Sequence, residues 1–134
     1  MSRYLLDVNA LVALGFREHE FFERVAGWFQ NLRQGEHELA TCAISELGFV
    51  RVLALSQYGL SVGESKASLV RLKSSSAIGF VFIADDLDAS GLPQWVKMPK
   101  QVTDGHLVQL AKASGAVLAT LDLNIPGAFQ IPGH

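Results

Sequence analysis

At 134 residues, 49% of them apolar and 18% charged, the chain has the composition of a globular protein, and its length fits one compact domain spanning 1–134. A net charge of −2 excludes a protein that grips nucleic acid through a broad basic surface, and the single cysteine, Cys42, excludes an internal disulfide or a cysteine-built zinc site. No run approaches the ~18 apolar residues of a membrane span and no secretion signal opens the chain, so a cytoplasmic, reducing location is expected.

The first element, "YLLD", reads as a short buried strand that turns at once into an apolar helix, "NALVALGF". In "EFFERVAGWFQNLRQG", Phe22, Val25, Phe29 and Leu32 recur at helical spacing and Gly35 is a natural stop. Phe21, Phe22 and Trp28 here are core candidates, or an exposed patch for a partner. "HELATC" reads as a second strand and "AISELGFVRVLAL" as a helix with Ile44, Leu47, Val50 and Leu55 on its apolar side and Glu46 near its start. Ser61 with Glu64 three residues on is a capping-box pattern that opens a helix through "SVGESKASLVRLKSSS", ended by the serine run. "AIGFVFIADD" is a strand. "LDASGLPQWVKMPKQ", with two prolines, is loop with at most a short helix. "TDGHLVQLAKASG" is a helix with Thr103 as N-cap and Gly115 as stop, "AVLATLD" is the final strand, and the tail is punctuated by proline and glycine.

Strands thus alternate with helices, and the strands are continuous apolar runs rather than alternating ones. That pattern predicts an α/β fold with a parallel sheet covered on both faces. In such sheets ligands bind beyond the carboxyl ends of the strands. Asp7 follows the first strand directly and Asp122 the last, while Asp104 and Glu46 each stand near the start of a helix. One topology rule therefore sends four acids to one end of the sheet.

Taken singly, each acid has a plain structural reading. Asp7 and Asp104 suit helix starts, Glu46 a solvated helix position, and Asp122 with Asn124 a turn before Pro126. Together they repel. At an effective dielectric of 20, two carboxylates ~5 Å apart cost about 3 kcal/mol, so protons or cations must offset the cluster. Oxygen ligands suit hard cations, and a magnesium pair ~4 Å apart can assist phosphodiester cleavage.

Three blocks, "LLDVNALVAL", "LATCAISELGFVRVL" and "VTDGHLVQLAKASGAVLATLDLNI", resemble in order the motif blocks of PIN-domain proteins, specifically the VapC-type toxins of bacterial toxin–antitoxin pairs. The resemblance covers nearly the whole chain. It implies a three-layer α/β/α fold with a mainly parallel sheet and a ribonuclease dependent on Mg2+ or Mn2+, in which a metal-activated water hydrolyses an RNA phosphodiester. It places the catalytic and metal-binding acids at Asp7, Glu46, Asp104 and Asp122, with Asn9 and Thr103 as flanking polar residues. Asn124 stands where many relatives carry a further acid, which removes one anionic ligand for a second metal. A cognate antitoxin and a homodimer are the partners implied, and Arg51, five residues beyond Glu46, is a candidate RNA or antitoxin contact as well as an ordinary solvated side chain. His106, two residues from Asp104, faces another side of its helix and reads as non-catalytic; His19, His37 and His134 lack metal-ligand spacing.

The rival readings are a housekeeping RNA-processing PIN nuclease and a non-catalytic binding module on the same fold. A phosphate-accepting receiver domain needs adjacent acids after its first strand, and a haloacid-dehalogenase-type phosphatase needs a second aspartate where Asn9 stands.

Overall fold

The computed structural model describes residues 2–32, 36–75 and 78–133. Among these, the strands are β1 (Ser2–Leu6), β2 (His37–Cys42), β3 (Phe80–Ile83), β4 (Val117–Thr120) and β5 (Phe129–Gln130). The helices are α1 (Val8–Gly15), α2 (Phe22–Asn31), α3 (Ala43–Leu53), α4 (Val62–Ser75) and α5 (Val102–Ala113), with single 3-10 turns at Ala89–Gly91 and Pro99–Gln101. The strands form one sheet in the order β3-β2-β1-β4-β5, and every pairing is parallel.

Alternation along each strand explains the three layers, because successive side chains leave a strand on opposite faces. Leu6, Leu39 and Ala119 point into a core with Leu11 of α1, Val25 of α2, Phe49 of α3 and Leu69 of α4. Their neighbours Leu5, Ala40 and Leu118 point the other way, into a core with Leu107, Leu110 and Ala111 of α5. A strand buried on both faces has no polar side to show, which is why the sequence runs are unbroken. No helix among the described residues is long and apolar enough to cross a membrane.

The first core depends on a close approach of α1 to α3. A Cβ at Gly48 would stand 2.4 Å from Val8 Cγ2 and 3.0 Å from Cγ1, so α3 passes α1 at a distance that only glycine allows. Phe49, next along α3, is fully buried.

Several sequence expectations need correction. Thr103 is not the cap of α5: the 3-10 turn Pro99–Gln101 runs straight into the helix, which starts at Val102, and Gln101 Oε1 accepts the Lys97 and Met98 N–H groups at 2.8 and 2.9 Å. The apolar side of α3 lies elsewhere, with Leu47 70% and Leu55 46% exposed while Gly48, Phe49 and Leu53 are buried. "AVLATLD" is not the last strand, since Phe129 and Gln130 pair with Ala119 and Thr120. Gly35, Ser76 and His134 lie outside the described residues. The Ser61–Glu64 box is formed as read, with reciprocal bonds of 2.8 and 3.0 Å.

Candidate metal centre

Strand order reverses direction between β1 and β4, and at such a switch point the loops beyond the two strands part to leave a crevice. Asp7 is the first residue past β1 and Asp122 the second past β4. Asp104 joins them from the first turn of α5, where the helix dipole favours an anion. That turn is held closely against the preceding loop, since a Cβ at Gly105 would stand 2.3 Å from Val96 Cγ2. Asp7, Asp104 and Asp122 each place a carboxylate oxygen within 4.8 Å of the others.

The three differ in what surrounds them. Asp7 is 4% exposed and caps α1, accepting Ala10 N–H at 2.8 Å on Oδ1 and the Thr120 hydroxyl at 2.5 Å on Oδ2. Burial pushes its pKa up to about 6, against the two hydrogen bonds, and Asp122 and Asp104 add to the push. Keeping this carboxylate buried costs about 3 kcal/mol at neutral pH, comparable to the burial of one leucine, so the adjoining cores can hold the acid in place. Asp104 is half-buried and also raised, first by burial and then by Asp122. Asp122 is exposed.

A buried carboxylate ringed by two others is the donor set of a hard cation. Asp7, Asp104 and Asp122 would hold a small divalent ion, which would offset both the burial of the Asp7 charge and the smaller repulsion from its two neighbours. The residues present fit such a group. Asp104 and Asp122 open into a cleft of about 870 Å³, also lined by Asn9, Phe21, Arg24, Lys100 and Asn124.

A family model described as "PIN domain" matches residues 4–127. The chain belongs to the PIN domain family. It is similar to Ribonuclease VapC38 of Mycobacterium tuberculosis (strain ATCC 25618 / H37Rv), 37% identical over 127 residues, 90% of this chain and 86% of the relative. It is also similar to Ribonuclease VapC44 of Mycobacterium tuberculosis (strain CDC 1551 / Oshkosh), 38% identical over 139 aligned positions, 98% and 93% of the two chains. Ribonuclease VapC29 of the latter strain is 34% identical over 119 residues, 88% of this chain and 84% of the relative.

In this PIN domain the fourth expected acid stands apart. Glu46, in the first turn of α3, is not within the 4.8 Å trio; its Oε2 accepts the Thr41 hydroxyl at 2.5 Å and Lys73 Nζ at 2.6 Å. Asn9 and Asn124 both line the cleft, whereas Thr103 is exposed in the first turn of α5 and Arg51 lines a separate groove between α3 and α4. His106 is paired with Asp85 at 2.5 Å, tying the loop after β3 to α5.

Three residues escaped the sequence reading. Thr120 donates to Asp7 and accepts Asp122 N–H at 3.1 Å; Thr41 and Lys73 hold Glu46. The two threonines had a signal, Thr120 closing β4 and Thr41 standing next to the end of β2, on the edge where the acids gather. Lys73 had none, because only the packing of α4 on α3 brings it there.

Proposed function

We propose that this chain is a metal-dependent endoribonuclease and the toxin of a toxin–antitoxin pair, and that Asp7, Asp104 and Asp122 bind Mg2+ or Mn2+ at its catalytic centre. The observation that carries the reading is the convergence of three carboxylates from distant parts of the chain at the switch point of the sheet. The similarity to ribonucleases of the VapC series supports it over most of the chain.

When bound, the cation supplies Lewis acidity toward a phosphoryl oxygen and lowers the pKa of water. The chain does the rest. Asp7, with both oxygens already accepting hydrogen bonds, is a fixed ligand rather than a proton carrier. Asp104 and Asp122 are the carboxylates left to take the proton of the attacking water. Asn9 and Asn124 offer neutral hydrogen-bonding groups along the cleft without adding charge, and Lys100 and Arg24 place positive charge on its walls for the RNA backbone. Glu46, paired with Lys73, is the expected acid that stands outside the trio.

The antitoxin reading is supported by the groove between α3 and α4, about 630 Å³ and lined by Leu47, Val50, Val62, Leu69 and Arg51. Exposure of Leu47, Val62 and Val70 there, at 70%, 63% and 59%, suits a partner segment that is apolar and carries an acid for Arg51. The homodimer rests on the resemblance alone.

The test is incubation of purified wild type and Asp7→Asn with total RNA, with and without magnesium, followed by mapping of cut ends. Discrete magnesium-dependent ends from wild type and none from Asp7→Asn are expected. Equal cleavage by both proteins rejects the centre.

A further inference from the structure

Phe21 is an aromatic side chain that neither core absorbs. Its neighbour Phe22 is half-buried, while Phe21 stays 38% exposed on the wall of the cleft that holds Asp104 and Asp122. Two groups brace it. The His19 ring lies 5.9 Å from it, centroid to centroid, at an interplanar angle of 43°, and His19 Nδ1 accepts the Phe21 N–H at 3.0 Å, fixing the turn before α2. The Arg24 guanidinium carbon stands 6.0 Å from the Phe21 centroid, and Arg24 is itself anchored by donating through Nε and Nη2 to the Ile131 carbonyl at 3.0 and 2.6 Å.

This wall is suited to a flat, largely uncharged ring. Burial lowers the His19 pKa, which favours the neutral imidazole, and Glu20 beside it repels a phosphate. Arg24 and Lys100 line the same cleft. A nucleic acid strand entering here meets carboxylates, positive charge and a partly exposed aromatic ring in one cleft. Only an unpaired nucleotide can turn its base against such a face, because bases within a helix are already stacked.

We propose that Phe21, braced by His19 and Arg24, is a stacking platform for one unpaired base of the RNA whose phosphate lies at the three aspartates. The inference rests on the nuclease reading above and adds to it a positioning role for the segment before α2. An aromatic–base stack is worth about 1–3 kcal/mol, so its loss is expected to weaken binding roughly tenfold.

The experiment measures anisotropy of a fluorescein-labelled single-stranded oligoribonucleotide of mixed sequence with full-length Asp7→Asn protein, alone and combined with Phe21→Ala, Phe21→Trp or Phe21→Leu. Phe21→Ala and Phe21→Leu are expected to bind about tenfold more weakly and Phe21→Trp to match or exceed the parent, since leucine restores apolar bulk but no ring face. With Asp7 intact, Phe21→Ala is expected to raise KM for the same oligonucleotide far more than it lowers kcat. Unchanged binding by Phe21→Ala, or full rescue by leucine, overturns the platform. Absence of any cleavage by wild type with magnesium or manganese overturns the nuclease reading instead, and the anisotropy series still decides whether Phe21 binds a base.

Discussion

The Thr120 side chain donates its hydroxyl proton to Asp7 at 2.5 Å and accepts the N–H of Asp122 at 3.1 Å, so one oxygen at the end of β4 orients two of the three acids. It is 1% exposed, and water cannot take over either bond. The geometry of the centre therefore depends on a residue that has no charge and no place among the ligands.

Thr120→Val keeps the shape of the side chain and removes both bonds. A hydrogen bond to a charged group contributes about 1.5–3 kcal/mol, and Asp7 loses one of the two interactions that hold its pKa down. The variant is expected to unfold at lower temperature at pH 7.5 than wild type, with a smaller difference at pH 5, and the pH profile of RNA cleavage is expected to move to higher pH. Thermal melts at the two values and a cleavage profile check this; Thr120→Ser should recover most of the loss.

The raised pKa of Asp7 makes stability depend on pH in a definite direction. Between the unfolded value of 3.8 and the folded value of about 6, the native state binds more protons than the unfolded one, so stability falls as pH rises through this window. Asp104 acts in the same sense. His19, lowered by burial, acts in the opposite sense, and the comparison with Asp7→Asn isolates the aspartate. In a chelating buffer Asp7→Asn should be more stable than wild type at pH 7.5 by up to about 3 kcal/mol and gain nothing at pH 4. Denaturant melts of both proteins across this range measure the difference.

Metal should offset that difference. At a free concentration one hundred times its Kd, a divalent ion stabilises the native state by about 2.7 kcal/mol. Wild type is expected to show a rise in Tm on addition of Mn2+ or Mg2+, undone by EDTA, whereas Asp104→Asn and Asp122→Asn should show little response. Differential scanning fluorimetry with and without metal reads this without reference to activity.

Glu46 and Lys73 form a partly exposed pair, at 22% and 30% side-chain exposure, 2.6 Å apart. Solvent screening limits such a pair to about 1 kcal/mol. A double-mutant cycle with Glu46→Gln and Lys73→Met should give a coupling of that order, and Glu46→Gln should slow cleavage by a smaller factor than Asp7→Asn. An equal loss of cleavage would place Glu46 with the trio.

Much of this fold could be read from the chain because burial on both faces writes an unambiguous apolar run, and because one topology rule applies to the end of every parallel strand. Asp7, Asp104 and Asp122 follow from that rule. Glu46 met the same rule yet is held by Lys73, because the rule locates an edge of the sheet and says nothing of which cation is nearer once α4 has packed against α3. The two-residue β5 carries too few residues for any periodicity to register. Leu47 was taken for core because apolar type alone cannot tell a buried face from a face left open to a partner.

Gly48 lies far along the chain from every acid of the trio, yet its lack of a side chain governs one of them. Val8, against which it rests, is the residue after Asp7, and a methyl group at position 48 would drive the start of α1 outward and carry the capping carboxylate with it. A mutation of this kind is expected to disturb the centre while preserving all its acids, so an inventory of ligands alone would pass such a chain as competent.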